Sequence, residues 1–396
     1  GYDVRRELCY QPARYFIKEH RYFKYACECQ KMYQVEREIV PFPNSMYSSS
    51  LVSKFIYDKF ALSLPLYRQE QAFKDVGINI TRSNICQYMN RVCELLQPLY
   101  NKYAEILKNE DIIHSDETKL RVLSVKNQEG ETKTNYVWLF RSSKSSDKQI
   151  TYYYYNDGRK YHTVQEFFIN TSNKTKYIIA DGYGVYDKIP GYKLVSCWAH
   201  ARRKFVEVIK TIDNKSSQKY KIAMKFINKI RELYECENKY KESKLSYKEI
   251  KIKRNEEEKT LLEEYFKLLD NYSLVFTSSS KMGKAITYSL ERKESLKTYL
   301  EDGRLALDNN ECEHLAKAYC VGRNNWLFCE NENGAYKSSM LYTIVRTAIA
   351  NNLKPEAYLN WLLENISTTN ISNIEDLAPW SNKIPNELKR MNKCVA

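Results

Sequence analysis

Three acidic side chains lie in segments whose sequences are unusually distinctive. Asp116 lies in HSDETKLRVL, Asp181 in YIIADGYGVYDK and Glu313 in LDNNECEH. Two carboxylates at strand ends, with a third on a helix far downstream, form an arrangement that holds two divalent metal ions for phosphodiester chemistry. Mg²⁺ prefers carboxylate and water oxygens, so this chemistry requires at least three carboxylates from separate elements. Taken alone, such a triad is a weak signal in a chain with 49 Asp and Glu residues.

Basic and aromatic residues fill two further segments, CWAHARRKF at 197–205 and GRNNWLF at 322–328. Adjacent cations at the start of one helix form a phosphate-binding patch, so we expect the first segment to contact DNA. The second segment is expected to clamp DNA, although its Trp suits an ordinary core position equally well. The DNA contacts expected from these segments are Arg202, Arg203, Lys204, Arg323, Asn324 and Trp326.

Cys197 and His200, in the first of these segments, admit two interpretations. In one, His200 lies near a scissile phosphate or the DNA backbone. In the other, Cys197 and Trp198 pack in the core while His200 caps a hydrogen-bond network. The core interpretation is favoured for Cys197, and both residues stay candidates for an accessory role.

The whole chain is basic, with 63 Lys and Arg against 49 Asp and Glu in 396 residues and a formal net charge of +14. Such a balance suits a polyanionic partner, but a basic protein with no nucleic-acid role is the alternative. The 11 cysteines are odd in number and scattered among apparent helices and strands, which favours reduced thiols and a cytosolic setting. No apolar stretch approaches the roughly 20 residues of a transmembrane helix, so no membrane partner is expected.

Residues 1–40 are expected to form a small strand-rich module. Cys27 and Cys29 supply half of a zinc site, and Cys9 and His20 are the only nearby candidates for the other half. We therefore expect a partial zinc-ribbon-like module, which binds Zn²⁺ only if it is complete. Two ordinary thiols on a strand are the alternative. Because the chain begins with Gly, we also expect a trimmed or incomplete N-terminus.

A helix-turn-helix-like region is predicted within 41–110. Two helical segments precede Gly77, which breaks the chain, and Thr81 or Ser83 then caps a helix that is expected to run to about Leu96. A packing hairpin that merely connects domains is an equal alternative. The polar side chains of the last helix that would read base edges or contact phosphates are Arg82, Asn84, Gln87, Asn90 and Arg91.

Residues 111–205 predict the first part of an α/β core. Three strand patterns are followed by a short helix, a fourth strand that ends at Asp181, and a fifth strand that enters a helix. This order is that of a ribonuclease-H-like mixed sheet. In such a sheet the first and fourth strands lie side by side, so Asp116 and Asp181 would meet.

A large all-helical insertion is predicted over 206–300, where apolar residues recur at helical spacing among many charges. A solvated, charged coiled arm has the same sequence signature and is the alternative. Residues 301–335 return to the core with the helix that carries Glu313, and 336–396 form a C-terminal helical region.

In this order, the distinctive segments resemble those of insertion sequence 66 family transposases, the large bacterial transposase subunit with an acidic DDE triad. The resemblance implies that Asp116, Asp181 and Glu313 bind Mg²⁺ or Mn²⁺ and that the protein cuts and joins DNA. The implied partners are the terminal inverted repeats, target DNA, further copies of the chain and accessory proteins of the same element, in a cytoplasmic, nucleoid-associated setting. The matching segments are PLYRQE, HSDET, ADGYGVYDK, CWAHARRKF, DNNECEH, VGRNNWLF and NNLKPEAYLNWLL.

The sequence departs from the family pattern just after the third acid. The family usually has Arg there and another basic residue soon after, where this chain has His314 and Lys317. Arg grips phosphate with two parallel hydrogen bonds and His does not. Glu117 and Glu311 are adjacent competitors for the metal, but the string DNN-x-x-E points to Glu313. A degenerate DNA-binding remnant without activity and a ribonuclease-H-like nuclease or resolvase are the alternatives to an active transposase.

Overall fold

The computed structural model describes residues 5, 7–10, 13–26, 28–29, 31–156, 158, 161–168 and 176–390. Near the N-terminus, two short exposed strands, β1 (Lys24–Ala26) and β2 (Met32–Gln34), pair in antiparallel fashion. Cys29 is exposed in the turn between them, whereas the other expected zinc ligand, Cys27, lies outside the described residues. The zinc site therefore stays a prediction.

Three helices follow: α1 (Ser49–Phe60), α2 (Leu66–Asp75) and α3 (Arg82–Asn109). Gly77 makes the turn between α2 and α3 with a φ of +78°, a conformation that residues with side chains rarely adopt. Thr81 then begins α3 in a reciprocal capping box with Asn84, as one of the two predicted caps. The order helix, turn, capped helix is as predicted.

The prediction that α3 ends near Leu96 is wrong, because the helix continues to Asn109 with Pro98 inside it. A proline removes one backbone hydrogen bond and disfavours a helix interior. Side chains beyond it are nevertheless buried, and the Tyr100 hydroxyl donates a hydrogen bond to the Tyr153 carbonyl oxygen at 2.9 Å. Packing against the sheet therefore outweighs the local break.

Five strands form a mixed sheet: β3 (Ile112–Lys126), β4 (Thr132–Ser142), β5 (Thr151–Asn156), β6 (Lys176–Ala180) and β7 (Tyr192–Ser196). Their order is β5-β4-β3-β6-β7, antiparallel from β5 to β3 and parallel from β3 to β7. The first and fourth strands of the sheet are neighbours, as predicted. The first residues of β3 are buried without alternation, which is typical of a central strand covered on both faces.

The remaining helices include those of 206–300 and the two that close the chain. Among the described residues, no helix is both long enough and apolar enough to cross a membrane. Residues 206–300, all of which are described, form helices and connecting turns without a strand. The helices are α4 (Tyr161–Phe167), α5 (Trp198–Ile209), α6 (Gln218–Glu242), α7 (Tyr247–Lys253), α8 (Lys259–Ser273), α9 (Lys281–Glu291), α10 (Lys293–Lys297), α11 (Asn310–Trp326), α12 (Glu332–Ala350) and α13 (Pro355–Ile366), with a π-helical turn at Arg254–Glu258 between α7 and α8.

Strands β6 and β7 contribute alternate residues to two separate apolar clusters. Ile179 and Val195 pack with α5 and the helices of 206–300. Ile178 and Leu194 belong to the other cluster, which contains the N-terminal and C-terminal helices. Successive side chains of a strand point to opposite faces of the sheet. The sheet is therefore covered on both faces here, and the helices of 206–300 are anchored through one of them.

Burial of Arg254 gives a stability prediction for the helices of 206–300. Its guanidinium makes two hydrogen bonds to Glu237, at 2.6 and 2.8 Å, and donates to three backbone carbonyl oxygens. Arg254→Met is expected to cost about 3–5 kcal/mol, because it leaves a carboxylate and several carbonyls without their donor. Urea unfolding monitored by circular dichroism measures the change.

Arg231→Met is the matched control, since the Arg231 pair with Glu235 is exposed on both sides. An exposed pair of this kind contributes roughly 0–1 kcal/mol. Equal losses of stability in the two variants would contradict a structural role for the buried guanidinium.

Candidate active site

Asp116 of β3 and Asp181, the residue after β6, lie just beyond the point where these two parallel strands stop pairing. The last paired positions of β3 and β6 lie two residues before Asp116 and Asp181, so the same register, continued, aligns the two acids. Glu117 N–H donates to Asp116 Oδ1 at 2.8 Å. Tyr183 N–H donates to Asp181 Oδ1 at 3.0 Å. Each carboxylate is thus oriented by a backbone donor one or two residues further along the chain.

Asn309 ties the helix that carries Glu313 to the central strand. Its side-chain N–H donates to the Ser115 carbonyl oxygen at 2.7 Å, and its Oδ1 lies 3.0 Å from His114 Nδ1. Burial lowers the pKa of His114 to about 4, so the ring is neutral and its Nδ1–H is the donor to the amide oxygen. These contacts fix the start of α11, whose first turn carries Glu313, beside β3.

The negative charges of Asp181 and Glu313 both act on Asp116. The pKa of Asp116 is raised to about 7. Burial is the largest cause, and the negative charges of Glu117, Asp181 and Glu313 add to it. A cation bound beside Asp116 would offset both its burial and these negative charges. The cluster can therefore accept a cation, and its donors are the oxygens that hard divalent ions prefer.

Two acids that were weighed as alternatives have other partners. Glu311 pairs with Arg141 at 3.2 Å and with Lys144 at 2.6 Å. Residues two positions apart on a helix do not face the same way, which explains why Glu311 and Glu313 diverge. Glu117 accepts a hydrogen bond from the hydroxyl of buried Tyr186 at 2.9 Å. Glu311 is thus engaged by cations, whereas Glu313 is the acid of this helix whose charge acts on Asp116.

The three adjacent cations of α5 have different surroundings. Arg203 donates to Glu313 Oε2 at 3.0 Å and has 48% of its side chain exposed. Lys204 is half-buried, with its ammonium 5.6 Å above the Tyr288 ring. Arg202 is exposed. Arg202 and Arg203 are therefore exposed, whereas Tyr288 partly covers Lys204.

Cys197 and His200 lie at the start of α5 beside Glu313. Cys197 and Trp198 are fully buried, as the core interpretation predicts, and Cys197 Sγ accepts a hydrogen bond from Asn309 N–H at 3.2 Å. His200 Nδ1 lies 3.6 Å from Glu313 Oε1 and has no hydrogen-bond partner within the described part of the chain. His200 therefore does not cap a hydrogen-bond network through Nδ1.

The residues of the second basic segment have mainly structural contacts. Arg323 donates to Thr118 Oγ1 at 3.1 Å and to the carbonyl oxygen of the next residue, which holds α11 against β3. Trp326 is half-buried, 6.4 Å from the Tyr342 ring, and Lys59 lies over it. Asn324 is exposed. The core alternative for Trp326 fits these contacts better than a DNA clamp.

The polar side of α3 is only partly available. Arg82 is exposed but pairs with Glu70 of α2 at 3.3 Å. Asn84 is engaged in the cap of its own helix. Arg91 is half-buried, with its guanidinium 5.4 Å from the Phe42 ring centroid. Of the five side chains named for this face, Gln87 and Asn90 are also exposed.

Arg292, between α9 and α10, is a contact that the sequence did not reveal. Its guanidinium donates to the Gly182 carbonyl oxygen and stacks 4.3 Å from the Tyr288 ring centroid. A Cβ at position 182 would collide with this guanidinium, so a larger residue there would displace Arg292 from its contact with the backbone. Nothing in the pattern around Arg292 distinguishes it from other basic residues, whereas Asn309 stood within the DNNECEH segment.

Two family models match the chain. The first, described as Transposase IS66 family, matches residues 44–337. The second, described as IS66 C-terminal element, matches residues 343–380. All of the acidic and basic segments described above, apart from the Cys27–Cys29 region, lie within the first match.

Three proteins of Sinorhizobium fredii, each named as uncharacterized, are similar to the chain. The protein y4hP is 25% identical over 96% of this chain and 70% of its own length. The proteins y4jD and y4qI are each 27% identical, over 85% and 84% of this chain and 66% and 62% of their own lengths. The chain thus spans about two thirds of the length of these relatives. Because the first family model covers well over half of its residues, the chain belongs to the IS66 family of transposases.

Proposed function

We propose that the chain is an enzyme that cuts DNA phosphodiesters at transposon ends and joins the freed 3′-hydroxyls to target DNA. The family supports a role in DNA transposition and the use of a divalent metal. The observation that carries the proposal is the placement of Asp116 and Asp181 by neighbouring parallel strands, with the charge of Glu313 from α11 acting on buried Asp116.

The proposed catalytic core is ribonuclease-H-like and consists of 111–205 and 301–335, with 206–300 inserted between them. The strand order supports this, because β3 is central, antiparallel to β4 and parallel to β6. In the same proposal, 41–110 is a helix-turn-helix-like region, 336–396 a C-terminal helical region and 1–40 a partial zinc-binding-like module.

The donor set fits a hard divalent cation at the three carboxylates. Mg²⁺ or Mn²⁺ held by Asp116, Asp181 and Glu313 would activate the attacking oxygen and stabilise the leaving oxygen of an in-line displacement. The chain's own part is to orient these oxygens. Glu117 N–H holds Asp116, Tyr183 N–H holds Asp181, and Asn309 holds the helix of Glu313.

Arg203 is proposed to exchange partners when DNA binds. Its guanidinium is half exposed and its partner Glu313 is a proposed metal ligand. A phosphate oxygen offers Arg the same hydrogen-bond geometry as a carboxylate. Phosphate binding would therefore release Glu313 from the ion pair, while exposed Arg202 on the next position holds the neighbouring phosphate. No covalent intermediate with the protein is required.

The carboxylate assignment predicts the effect of Glu313→Gln on catalysis. The amide cannot neutralise a divalent ion, so cleavage and strand transfer are expected to fall at least about a hundredfold. Glu311→Gln, two residues away on the same helix and paired with basic residues, is expected to stay within about threefold. Labelled transposon-end DNA with Mg²⁺ or Mn²⁺ reports both steps. Equal loss in the two variants would contradict the assignment, and cleavage without joining would favour a nuclease.

The exposed cation of α5 predicts a salt effect. Arg202→Ala is expected to weaken DNA binding and reduce the slope of log affinity against log salt by about 0.9, the value for one lost phosphate contact. Lys383→Ala, which removes an exposed charge from the C-terminal segment, is the control and should leave the slope unchanged. Fluorescence anisotropy over a salt series measures both. An unchanged slope in a folded Arg202→Ala variant would show that Arg202 makes no phosphate contact.

The raised pKa of Asp116 predicts pH-dependent stability in metal-free buffer. Its pKa rises from 3.8 to about 7 on folding, so between these values the folded chain holds a proton that the unfolded chain has lost. The stabilisation that protonated Asp116 provides at low pH is therefore lost as the pH rises through this window. Asp116→Asn is expected to be more stable than the native chain at about pH 8, by up to about 4 kcal/mol, and nearly equal at about pH 4.

Thermal unfolding at the two pH values, with and without Mg²⁺, measures this difference. Mg²⁺ should narrow it at the higher pH, because a cation relieves the same repulsion. Asp213→Asn, at an exposed position, is the control for loss of one negative charge. A native chain that equals Asp116→Asn at the higher pH would show that folding does not raise the pKa of Asp116.

A further inference from the structure

A sulfur, a nitrogen and a carboxylate oxygen meet beside the aspartates. Cys197 Sγ, one His200 ring nitrogen and one Glu313 oxygen all lie within 4.8 Å of one another. Cys197 is the N-cap of α5 and His200 is its third residue, two positions whose side chains face each other at the start of a helix. The first turn of α11 supplies the third donor. Local helix geometry and the docking of α11 thus build the group.

His200 Nδ1 is a buried polar atom that the protein leaves unsatisfied. It has no hydrogen-bond partner in the described part of the chain, and its 3.6 Å separation from Glu313 Oε1 exceeds hydrogen-bonding distance. A buried polar atom without a partner costs free energy, so it calls for a ligand or a water. The neutral imidazole nitrogen is a metal ligand.

The two oxygens of Glu313 have different neighbours. Oε1 faces His200, whereas the shorter contact of Arg203 is with Oε2. One oxygen can therefore bind a metal ion while the other keeps its hydrogen bond to Arg203. A thiolate and a carboxylate together neutralise a divalent ion, and Asn309 N–H already donates to the sulfur.

We propose that Cys197, His200 and Glu313 form a binding site for a Zn²⁺-class divalent ion, adjacent to the proposed Mg²⁺ carboxylates and sharing Glu313 with them. Sulfur, imidazole and carboxylate are the ligands that Zn²⁺ takes, and Mg²⁺ prefers oxygen alone. On binding, the Cys197 thiol releases its proton to the buffer and a metal–sulfur bond forms. A fourth position is left for water.

Because both proposed sites use Glu313, an ion in one affects the other. This consequence for activity rests on the proposed function. An ion held by Cys197 and His200 draws on a carboxylate that the Mg²⁺-dependent reaction needs. Zn²⁺ bound there is therefore an inhibitor of cleavage, and removal of Cys197 lessens the inhibition.

Co²⁺ is the probe for the site, because it takes the same ligands as Zn²⁺ and a cobalt–thiolate bond gives a charge-transfer absorption. The full chain, free of metal, is titrated with Co²⁺ and then with competing Zn²⁺. The native chain is expected to show the thiolate band. Cys197→Ser, His200→Ala and Glu313→Gln should each lower Co²⁺ affinity at least about tenfold, with Cys197→Ser abolishing the band.

Two cysteine controls separate this site from other thiols. Cys312→Ser removes a buried cysteine of α11 whose thiol donates to the Leu139 carbonyl oxygen. Cys86→Ser removes an exposed free cysteine of α3. Both should keep the band. A native chain without the band, or a band that survives Cys197→Ser, overturns the proposal, and His200→Ala supplies the same test if Cys197→Ser does not fold.

Asp116→Asn distinguishes a failure of the proposed Zn²⁺-class site from a failure of the proposed function. It should keep the thiolate band while losing Mg²⁺-dependent cleavage. Co²⁺ that binds without the band and is lost in Asp116→Asn would mean an oxygen-only site, which overturns this inference and leaves the proposed function standing. A native chain that shows the band but never cuts DNA with Mg²⁺ would support this inference and overturn the proposed function.

Discussion

Parallel pairing of β3 with β6 is the constraint on which the site depends. It aligns Asp116 with Asp181 at the edge of the sheet, and it does so against their electrostatic repulsion. The free energy that holds the acids together comes from elsewhere, from the apolar clusters that α5 and the terminal helices form on the sheet. Buried carboxylates held together against their electrostatic repulsion are typical of functional sites.

Attachment of α11 and the insertion extends this constraint. Asn309 joins β3 to the helix of Glu313, and Arg292 joins the insertion to the loop that follows Asp181. The helices of 206–300 are therefore more than an appended unit, because one of their cations fixes the backbone beside a proposed ligand. Arg203 adds a positive charge that contacts Glu313 from α5. Movement of any of these elements would change the geometry of the carboxylates.

The predicted strand order and the meeting of Asp116 with Asp181 followed from local pattern, since alternation and turn residues mark strands and strand order then dictates neighbours. The separation of Glu313 from Glu311 followed from resemblance, and helix geometry explains it afterwards. Three features had no local signal. They are the partner of Arg203, the reach of Arg292 to Gly182 and the continuation of α3 through Pro98, all of which depend on tertiary packing that residue types do not encode.

Anomalous diffraction from crystals soaked in Mn²⁺ tests the central claim most directly, because it locates the ion without relying on activity. The account predicts Mn²⁺ peaks coordinated by Asp116, Asp181 and Glu313, separated by about 3.5–4 Å if two ions bind. Mn²⁺ coordinated by Glu311 in place of Glu313, or no peak between the two aspartates at saturating Mn²⁺, would contradict it.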